Sequence, residues 1–330
     1  MDTPRLHTPV CDVLGIRHPV VMGGMAGHTA AELVAAVSNA GGLGIHGGSR
    51  QTPDDFRRTV ARIRQLTTAP FGVNLLLFGR EEALLDAMLA ERPAVMSFAW
   101  PRIDQPLDEI FGRAHAAGSK VMHMVSSVHE AVRAAGAGAD LIVAQGMEGG
   151  GHIGVMGAIA LIPQVVSAVR PTPVLAAGGI ADGRGLAAAL ALGADGVLVG
   201  TRFLATPEAP IHQNFKQAII DSDGHDTDVT EIPDLISGRV WPGAFSRAWR
   251  NALIRQWSGR EWEVRKQQPA LAAETSAARQ AGDADHAILF FGQDAGLIDE
   301  ITPAGQIVAD MVREAHDIVS RRLASLIGAR

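Results

Sequence analysis

The sequence contains no tyrosine and a single cysteine, Cys11. Without tyrosine, any group that transfers a proton has to be a His, Asp, Glu, Lys or Cys side chain. One cysteine cannot form an internal disulfide, which agrees with a reducing compartment. The opening stretch MDTPRLHTPVCDVLG has no apolar signal core, and no run of about 18 uncharged apolar residues occurs, so we expect no membrane span. These absences together predict a cytoplasmic protein.

Several catalytic signatures are also missing. The histidines form no HxxxH pair and there is no cysteine pair, so we expect no metal site. The GxSxG elbow of serine hydrolases and the GxGxxG fingerprint of Rossmann domains are both absent. The net charge of −6 and the pI near 6.0 give no reason to expect nucleic acid or an anionic membrane as a partner.

Apolar runs of strand length dominate the first 200 or so of the 330 residues, and alanine-rich helical patterns separate them. Runs that are apolar on both faces are typical of parallel strands covered by helices. Eight such runs favour a closed (β/α)8 TIM barrel, an α/β fold, over an open sheet. The predicted strands are residues 19–24, 43–48, 71–77, 94–100, 120–126, 141–146, 173–179 and 196–203.

The pattern changes near Pro210, where charge and tryptophan become more frequent. We interpret residues 1–209 as the barrel and residues 210–287 as an inserted, mainly helical lobe over the active site. Residues 288–330 are then a glycine-containing loop and a final amphipathic helix that complete the barrel.

Glycine-rich turns follow the last two predicted strands, in AAGGIADGRG and VGTRF. Loops at this end of a TIM barrel often bind phosphate, because glycines let backbone N–H groups approach an anion. The candidate groups are the N–H groups of Gly178, Gly179, Gly200 and Thr201. The helix that begins near Asp182 is expected to add its N-terminal dipole. The alternative is that these glycines only form tight turns. A phosphate site here favours a flavin mononucleotide or a sugar phosphate.

Other strand ends offer candidate ligand contacts. Gly23 and Met25 follow the first strand, where a bare backbone allows a flat ring to lie against it; a tight turn is the alternative. Asn74 can both donate to and accept from a uracil-like ring edge, or cap a turn. His46 is ambiguous, and His123 is more consistent with a packed histidine than with a catalyst.

The segment AQGMEGGGHIG, residues 144–154, follows the sixth strand, where catalytic residues of TIM barrels cluster. His152 can transfer a proton near neutral pH, although a single loop histidine is more often a surface residue. Three preceding glycines favour the catalytic interpretation, because they let the chain pass closely over a ring. For Glu148 we favour a structural role.

Taken together, the sequence resembles the nitronate monooxygenase family, formerly called 2-nitropropane dioxygenases, from about residue 10 to 315. The same superfamily includes a flavin-dependent enoyl-acyl-carrier-protein reductase and an NADH:quinone reductase. The motifs that carry the resemblance are PVVMGGMAGHTAAELVAAVSNAGGLGIHGG, PFGVNLLL, AVMSF, AQGMEGGGHIG, PVLAAGGIADGRGLAAALALGADGVLVGTRFLAT and GLIDE.

The resemblance implies an FMN-binding barrel that acts on a small-molecule substrate and O₂, and it suggests a homodimer. His152 matches the active-site histidine of the family. The phosphate is expected on Gly178, Gly179, Gly200 and Thr201. The flavin ring is expected on Gly23, Met25, Asn74, Gln145 and Gly150.

The family's reaction implies FMN-dependent oxidation of alkyl nitronates of the propionate 3-nitronate type, with His152 as acid–base or anion-holding group. The alternative is an FMN-dependent NAD(P)H reductase that acts on an enoyl thioester or a quinone. Two departures affect the substrate more than the cofactor. SFAWPR stands where monooxygenases have a motif like SFHFG, and Met124 replaces a basic residue of some relatives. The stretch SGRVWPG, residues 237–243, is expected to form a lid.

Overall fold

The computed structural model describes residues 6–326 of the chain. Eight of its strands form a closed parallel barrel in the order β1-β2-β3-β4-β5-β6-β8-β9, and β9 pairs with β1 to close the ring. The strands are β1 (Val20–Met22), β2 (Leu43–Gly47), β3 (Phe71–Leu76), β4 (Val95–Ala99), β5 (Lys120–Val125), β6 (Leu141–Gln145), β7 (Gly151–Ile153), β8 (Val174–Ala177), β9 (Gly196–Val199), β10 (Thr227–Thr230) and β11 (Phe245–Trp249).

The predicted (β/α)8 barrel is confirmed, and each of the eight predicted runs contains one barrel strand. The prediction is wrong at the end of the eighth run, which was extended to residue 203. The strand ends at Val199, and a short helix begins at Thr201 with Gly200 as its N-cap residue. Apolar residues continue through both elements, so hydrophobicity alone does not show where the strand ends and the helix begins.

Helices alternate with the barrel strands and pack around them. Side-chain caps mark several helix starts; for example, the Thr52 and Ser127 hydroxyls accept hydrogen bonds from backbone N–H groups in the first turns that follow. The helices are α1 (Pro9–Leu14), α2 (Ala31–Asn39), α3 (Pro53–Leu66), α4 (Glu82–Ala90), α5 (Leu107–Ala116), α6 (Val128–Gly136), α7 (Ala158–Val169), α8 (Gly183–Ala191), α9 (Thr201–Leu204), α10 (Gln213–Ile220), α11 (Ile232–Ser237), α12 (Ala252–Trp257), α13 (Glu261–Ala281) and α14 (Ala304–Asp317), followed by a π-helical segment (Ile318–Leu323) and a last turn (Ala324–Leu326).

Two apolar layers hold the barrel together. Inside it, side chains from most strands pack against one another and against α1, so this helix joins the inner core. Outside it, the opposite faces of the strands pack against the surrounding helices. Alternate side chains of a strand point to opposite faces, so a strand between these layers is apolar throughout. This is why the barrel strands read as unbroken apolar runs.

Residues 210–287 contain α10 to α13 together with β10 and β11, which pair antiparallel. β11 also pairs antiparallel with β7, so the lobe strands continue into the segment that follows β6. The sequence predicted the helices but none of these three short strands. After the lobe, a 3-10 turn (Gln293–Leu297) leads to α14, which packs against α2 and α8. Within residues 6–326, no helix has both the length and the apolar character needed to cross a membrane.

Gly44 of β2 lies so close to α2 that a side chain at this position would collide with the helix backbone. A Cβ atom at Gly44 would lie 2.2 Å from the backbone oxygen of Val34. We expect Gly44→Ala to lower the free energy of unfolding by about 3 kcal/mol, because neither backbone can move aside easily. Urea denaturation of the purified protein measures the effect.

Gly112→Ala is the matched control, since Gly112 is an exposed position in α5 with open space around its Cβ. It should stabilise the protein by about 0.5–1 kcal/mol, because alanine favours the helix. Equal effects of the two substitutions contradict the packing described for β2.

Candidate active site

The turns after β8 and β9 present unpaired backbone donors. Gly178 and Gly179 both have left-handed backbones, with φ of 93° and 73°. Within residues 6–326, the N–H groups of Gly178, Gly179, Gly200 and Thr201 have no hydrogen-bond acceptor. Gly178, Gly179 and Gly200 are half-buried and Thr201 is buried. These N–H groups are therefore free to donate to a bound group, as the phosphate site predicted here requires.

The dipole predicted at the start of α8 is not available to an anion. The Asp182 carboxylate accepts hydrogen bonds from the N–H groups of Arg184 and Gly185, at 2.9 and 3.1 Å. The Glu314 carboxylate accepts from Gly183 N–H at 2.7 Å. These carboxylates already occupy the positive end of the helix, so this expectation is wrong.

Two amide side chains lie in the barrel mouth at β3 and β6. Asn74 Nδ2 donates to the backbone oxygen and the hydroxyl of Ser97, at 3.2 and 3.1 Å. Gln145, the last residue of β6, has a buried Oε1 atom with no hydrogen-bond partner in the described part of the chain. A buried acceptor without a donor is costly, which suggests that a bound group supplies one. The Met25 Sδ atom would lie 3.7 Å from a Cβ atom added at Gly200. Met25, which follows β1, is therefore close to the turn after β9.

The glycines after β6 have a packing role. A Cβ atom at Gly150 would lie 2.4 Å from the Phe291 backbone and 2.5 Å from Gly292 N. The backbone oxygen of Glu148 accepts a hydrogen bond from Gln293 N–H at 2.9 Å. The bare backbone therefore lets the segment after the lobe approach this turn, and the flavin contact expected for Gly150 stays a prediction.

Glu148 caps a helix. Both of its carboxylate oxygens accept from Ala158 N–H, at 2.9 and 3.0 Å, at the start of α7. The neighbouring Met147 backbone oxygen accepts two hydrogen bonds from the buried Arg247 guanidinium of β11, at 3.0 and 3.1 Å. The turn after β6 is thus held from both sides, by α7 and by the lobe.

His152 lies in β7 and faces two polar side chains of the lobe. β7 pairs with β11 so that His152 stands opposite Ser246. His152 Nε2 lies 2.8 Å from Asp234 Oδ1 and 3.2 Å from Ser246 Oγ, and Ser246 Oγ donates to Asp234 Oδ2 at 3.0 Å. The Asp234 side chain comes from α11 and is buried. Three groups from three elements therefore form one closed hydrogen-bonded set.

This set fixes the protonation pattern of the imidazole. An ionised carboxylate only accepts hydrogen bonds, so Asp234 pairs with Nε2 when this atom carries a proton. Nδ1 is then the acceptor atom of neutral His152, and it has no hydrogen-bond partner within residues 6–326. The arrangement can take up a proton at Nδ1 or, once protonated, donate to an anion there.

Trp241 covers one face of His152. Their ring centroids are 3.3 Å apart and the rings are inclined by 11°. The indole also contacts Phe78 and Trp100, at centroid distances of 4.6 and 6.1 Å. The predicted lid stretch 237–243 therefore reaches the imidazole through Trp241. A substrate that approaches this face of His152 has to displace the indole.

The two ambiguous histidines serve the scaffold. His46 bonds through Nδ1 to Thr29 O at 2.9 Å and through Nε2 to Gln51 Oε1 at 3.0 Å, and burial lowers its pKa. His123 is buried, and burial lowers its pKa to about 3. A histidine that stays neutral near pH 7 and is enclosed by protein is poorly suited to proton transfer with a substrate.

Sequence reasoning missed Asp234 and Ser246. Asp234 lies 82 residues and Ser246 lies 94 residues from His152 along the chain, so no local motif connects them. The stretch FSRAW has a strand-favouring aromatic residue at each end, Phe245 and Trp249, but no alternation of polar and apolar residues marks it as a strand.

The chain has extensive similarity to known proteins. The nitronate monooxygenase family model matches residues 7–87 and 78–314. A probable nitronate monooxygenase of Staphylococcus saprophyticus is 31% identical over 96% of this chain and 100% of the relative. The chain belongs to the nitronate monooxygenase family.

Members and neighbours of this family differ in their named reactions. A 5-hydroxy-7a-methyl-1-oxo-octahydro-1H-indene-4-carboxyl-CoA dehydrogenase of Mycobacterium tuberculosis is 34% identical, covering 94% of this chain and 96% of the relative. The structure of FabK from Thermotoga maritima has a TM-score of 0.87 and 38% identity, covering 97% and 99%. Nitroalkane oxidase from Streptomyces ansochromogenes has a TM-score of 0.82 and 30% identity, covering 96% and 99%. The family assigns a flavin-dependent oxidoreductase and leaves the substrate open.

Asp294 is a buried carboxyl group that interacts with the side chain of Thr201. Burial raises its pKa to about 7, against a smaller opposing effect of the Thr201 hydroxyl. Below its ordinary pKa, near 3.8, both folded and unfolded states hold the proton. As the pH rises to about 7 the unfolded state ionises first, so the stabilising contribution of Asp294 is lost across this window.

We therefore expect Asp294→Asn to gain stability over the wild type by a few kcal/mol between pH 4 and pH 7. Urea denaturation of the holoenzyme at several pH values measures the difference. His28 and His123, whose pKa values are lowered, act alike in both proteins, so the difference isolates Asp294. A difference that stays constant across the window disproves the assignment.

Proposed function

We propose that this protein is an FMN-dependent oxidoreductase that oxidises alkyl nitronates of the propionate 3-nitronate type with O₂, with His152 as the catalytic residue. The observation that carries the proposal is the set formed by His152, Asp234 and Ser246 beside the turn after β6. FMN, when bound, would supply the redox chemistry between substrate and O₂. The protein supplies binding, orientation and proton transfer.

The residues of the barrel mouth fit FMN. We propose that a phosphate accepts from the unpaired N–H groups at Gly178, Gly179, Gly200 and Thr201. The unpartnered Oε1 of Gln145 suits a ring N–H donor, and Asn74 offers an amide to the pyrimidine edge of the ring. Gly23, Met25 and Gly150 complete the proposed ring contacts.

His152 has two roles in this proposal. With a nitronate, the protonated imidazole donates from Nδ1 and holds the anion. With a neutral nitroalkane, neutral Nδ1 removes the α-proton, and the positive charge that develops is stabilised by the Asp234 carboxylate at Nε2. Ser246 fixes the second carboxylate oxygen. Asp234 and Ser246 are thus positioning residues, and Trp241 has to leave the imidazole face before substrate enters.

A second candidate is an FMN-dependent NAD(P)H reductase of an enoyl thioester or a quinone. Trp100 and Pro101 support it, because they shape the wall after β4 differently from the expected monooxygenase motif, and Trp100 contacts the lid. The likeness to FabK and to the carboxyl-CoA dehydrogenase supports it as well.

Anaerobic reduction separates the two candidates. The purified yellow protein is mixed without oxygen with propionate 3-nitronate and, separately, with NADH and NADPH, and the absorbance of oxidised flavin near 450 nm is followed. We expect rapid bleaching by the nitronate. Bleaching by a nicotinamide alone rules out the first candidate and supports the second. Chromatography of the cofactor released by heat should identify FMN, and a colourless protein would refute both.

His152→Ala should stay yellow, because the proposed flavin contacts remain, and kcat should fall about 10²–10⁴-fold through loss of the acid–base group. Asp234→Asn should lower kcat less, since the imidazole remains but loses its orienting charge. His129→Ala, an exposed histidine in α6, is the control and should leave kcat unchanged. Loss of FMN from His152→Ala, or full activity, contradicts the role of His152.

A further inference from the structure

The segment around Trp241 is not anchored by its backbone. Arg239 N–H donates to the Asp234 backbone oxygen at 3.0 Å, but the backbone groups of residues 240–243 form no hydrogen bond within residues 6–326. Gly243, at the end of this segment, has a left-handed backbone with a φ of 71° and open space around its Cβ position. Backbone groups that bond only to water do not hold a surface loop to the rest of the protein.

The side chain of Trp241 provides the ring contacts of this segment. Its indole stacks on His152 with the centroids 3.3 Å apart, contacts Phe78 at 4.6 Å and meets Trp100 edge-on at 6.1 Å. Phe78 and His152 form no ring contact with each other within residues 6–326, so they contact different parts of the indole. Pro242 and Trp100 line a cavity of about 20 Å³, which is room for one water molecule. The indole thus occupies a cleft with aromatic walls.

The walls of this cleft, in contrast, are fixed. Phe78 N–H donates to the Trp100 backbone oxygen at 3.0 Å, and Arg102 Nη1 donates to the Phe78 backbone oxygen at 2.7 Å. Trp100 has a φ of 54°, a left-handed backbone that is uncommon for a bulky residue and persists only where the surrounding structure imposes it. The imidazole of His152 is held by the hydrogen bonds described above. The cleft therefore keeps its shape when the indole leaves it.

We propose that the active site binds reactants that carry a planar conjugated ring, which takes the place of the Trp241 indole between His152 and Phe78. An indole that leaves the cleft loses its ring contacts, and a planar ring replaces them. A saturated group of equal size buries similar apolar area but does not form these contacts between π-systems. The inference rests on the flavin-dependent activity proposed above. It names a class of substrates, aryl-substituted nitronates for the first candidate and quinones for the second.

Binding of two inert ligands to the oxidised holoenzyme, measured by titration calorimetry, tests the cleft without any turnover. The ligand 2-naphthoate has a planar conjugated ring, and decahydro-2-naphthoate has the same carboxylate and nearly the same size without one. We expect the wild type to bind 2-naphthoate about tenfold more tightly, since only the planar ring regains the aromatic contacts. Equal affinities for the two ligands, or no binding of 2-naphthoate, overturn the proposal.

Variants of the cleft locate the bound ring. Phe78→Leu keeps an apolar wall but removes the aromatic ring, so it should weaken 2-naphthoate binding about fivefold and leave the saturated ligand unaffected. Trp241→Ala removes the side chain that competes for the cleft, so 2-naphthoate should bind more tightly. Weaker binding to Trp241→Ala shows that the ligand packs on the indole instead of replacing it, and this result also overturns the proposal.

Trp262→Ala is the matched control. This tryptophan is exposed in α13, and its ring contacts Lys266 but no aromatic ring within residues 6–326. The substitution should change neither affinity, and a change equal to that of Phe78→Leu contradicts the assigned cleft. Melting temperature and flavin absorbance check that each variant is folded and loaded.

Two reactants then identify the source of the ring. Slower anaerobic bleaching of Phe78→Leu than of the wild type by the nitronate of phenylnitromethane supports an aryl nitronate. Slower reoxidation of photoreduced Phe78→Leu by a naphthoquinone supports a quinone, which takes two electrons from the reduced flavin and becomes the hydroquinone with two protons from flavin and solvent. An effect on neither reaction overturns the assigned substrate class. Propionate 3-nitronate has no ring, so its bleaching of the flavin reports on the proposed function alone.

Discussion

The pairing of β7 with β11 is the contact on which the candidate site depends. It places His152 opposite Ser246, and both bond to Asp234 of α11. Without this pairing, His152 would lie in a glycine-rich turn whose flexible backbone would not fix the orientation of the imidazole. The Arg247 guanidinium adds hydrogen bonds from β11 to the turn after β6. The lobe thus supplies both side chains that hydrogen-bond to His152 and the strand that pairs with its backbone.

At the turns after β8 and β9, where we propose that phosphate binds, the deciding feature is which backbone N–H groups already have an acceptor. Carboxylates satisfy the first N–H groups of α8, whereas those after β8 and β9 lack an acceptor. The contrast is why the proposed phosphate contacts lie in the turns at Gly178 and Gly200 and not at the start of α8. The glycines after β6 serve another purpose, because Gly150 packs against the Phe291 and Gly292 backbone.

Local patterns predicted the barrel well, because strands between two apolar layers must be apolar throughout. Because apolar residues continue past β9, the same pattern did not predict where this strand ends and the helix capped by Gly200 begins. The sequence pointed to His152 and to residues 237–243, which the structure brings into contact through Trp241, but it did not point to Asp234 or Ser246. Ser246 meets His152 through antiparallel pairing across 94 residues, and Asp234 reaches it from α11, 82 residues away. Strands of three to five residues have too little pattern to predict such a register.

One short segment of the lobe carries both a hydrogen-bond partner of His152 and the side chain that covers its ring. Asp234 bonds to His152, and Trp241 stacks on the imidazole. Arg239 N–H also donates to the Asp234 backbone oxygen at 3.0 Å, so these residues share one local fold. A substrate that displaces Trp241 therefore acts on the same segment that orients His152.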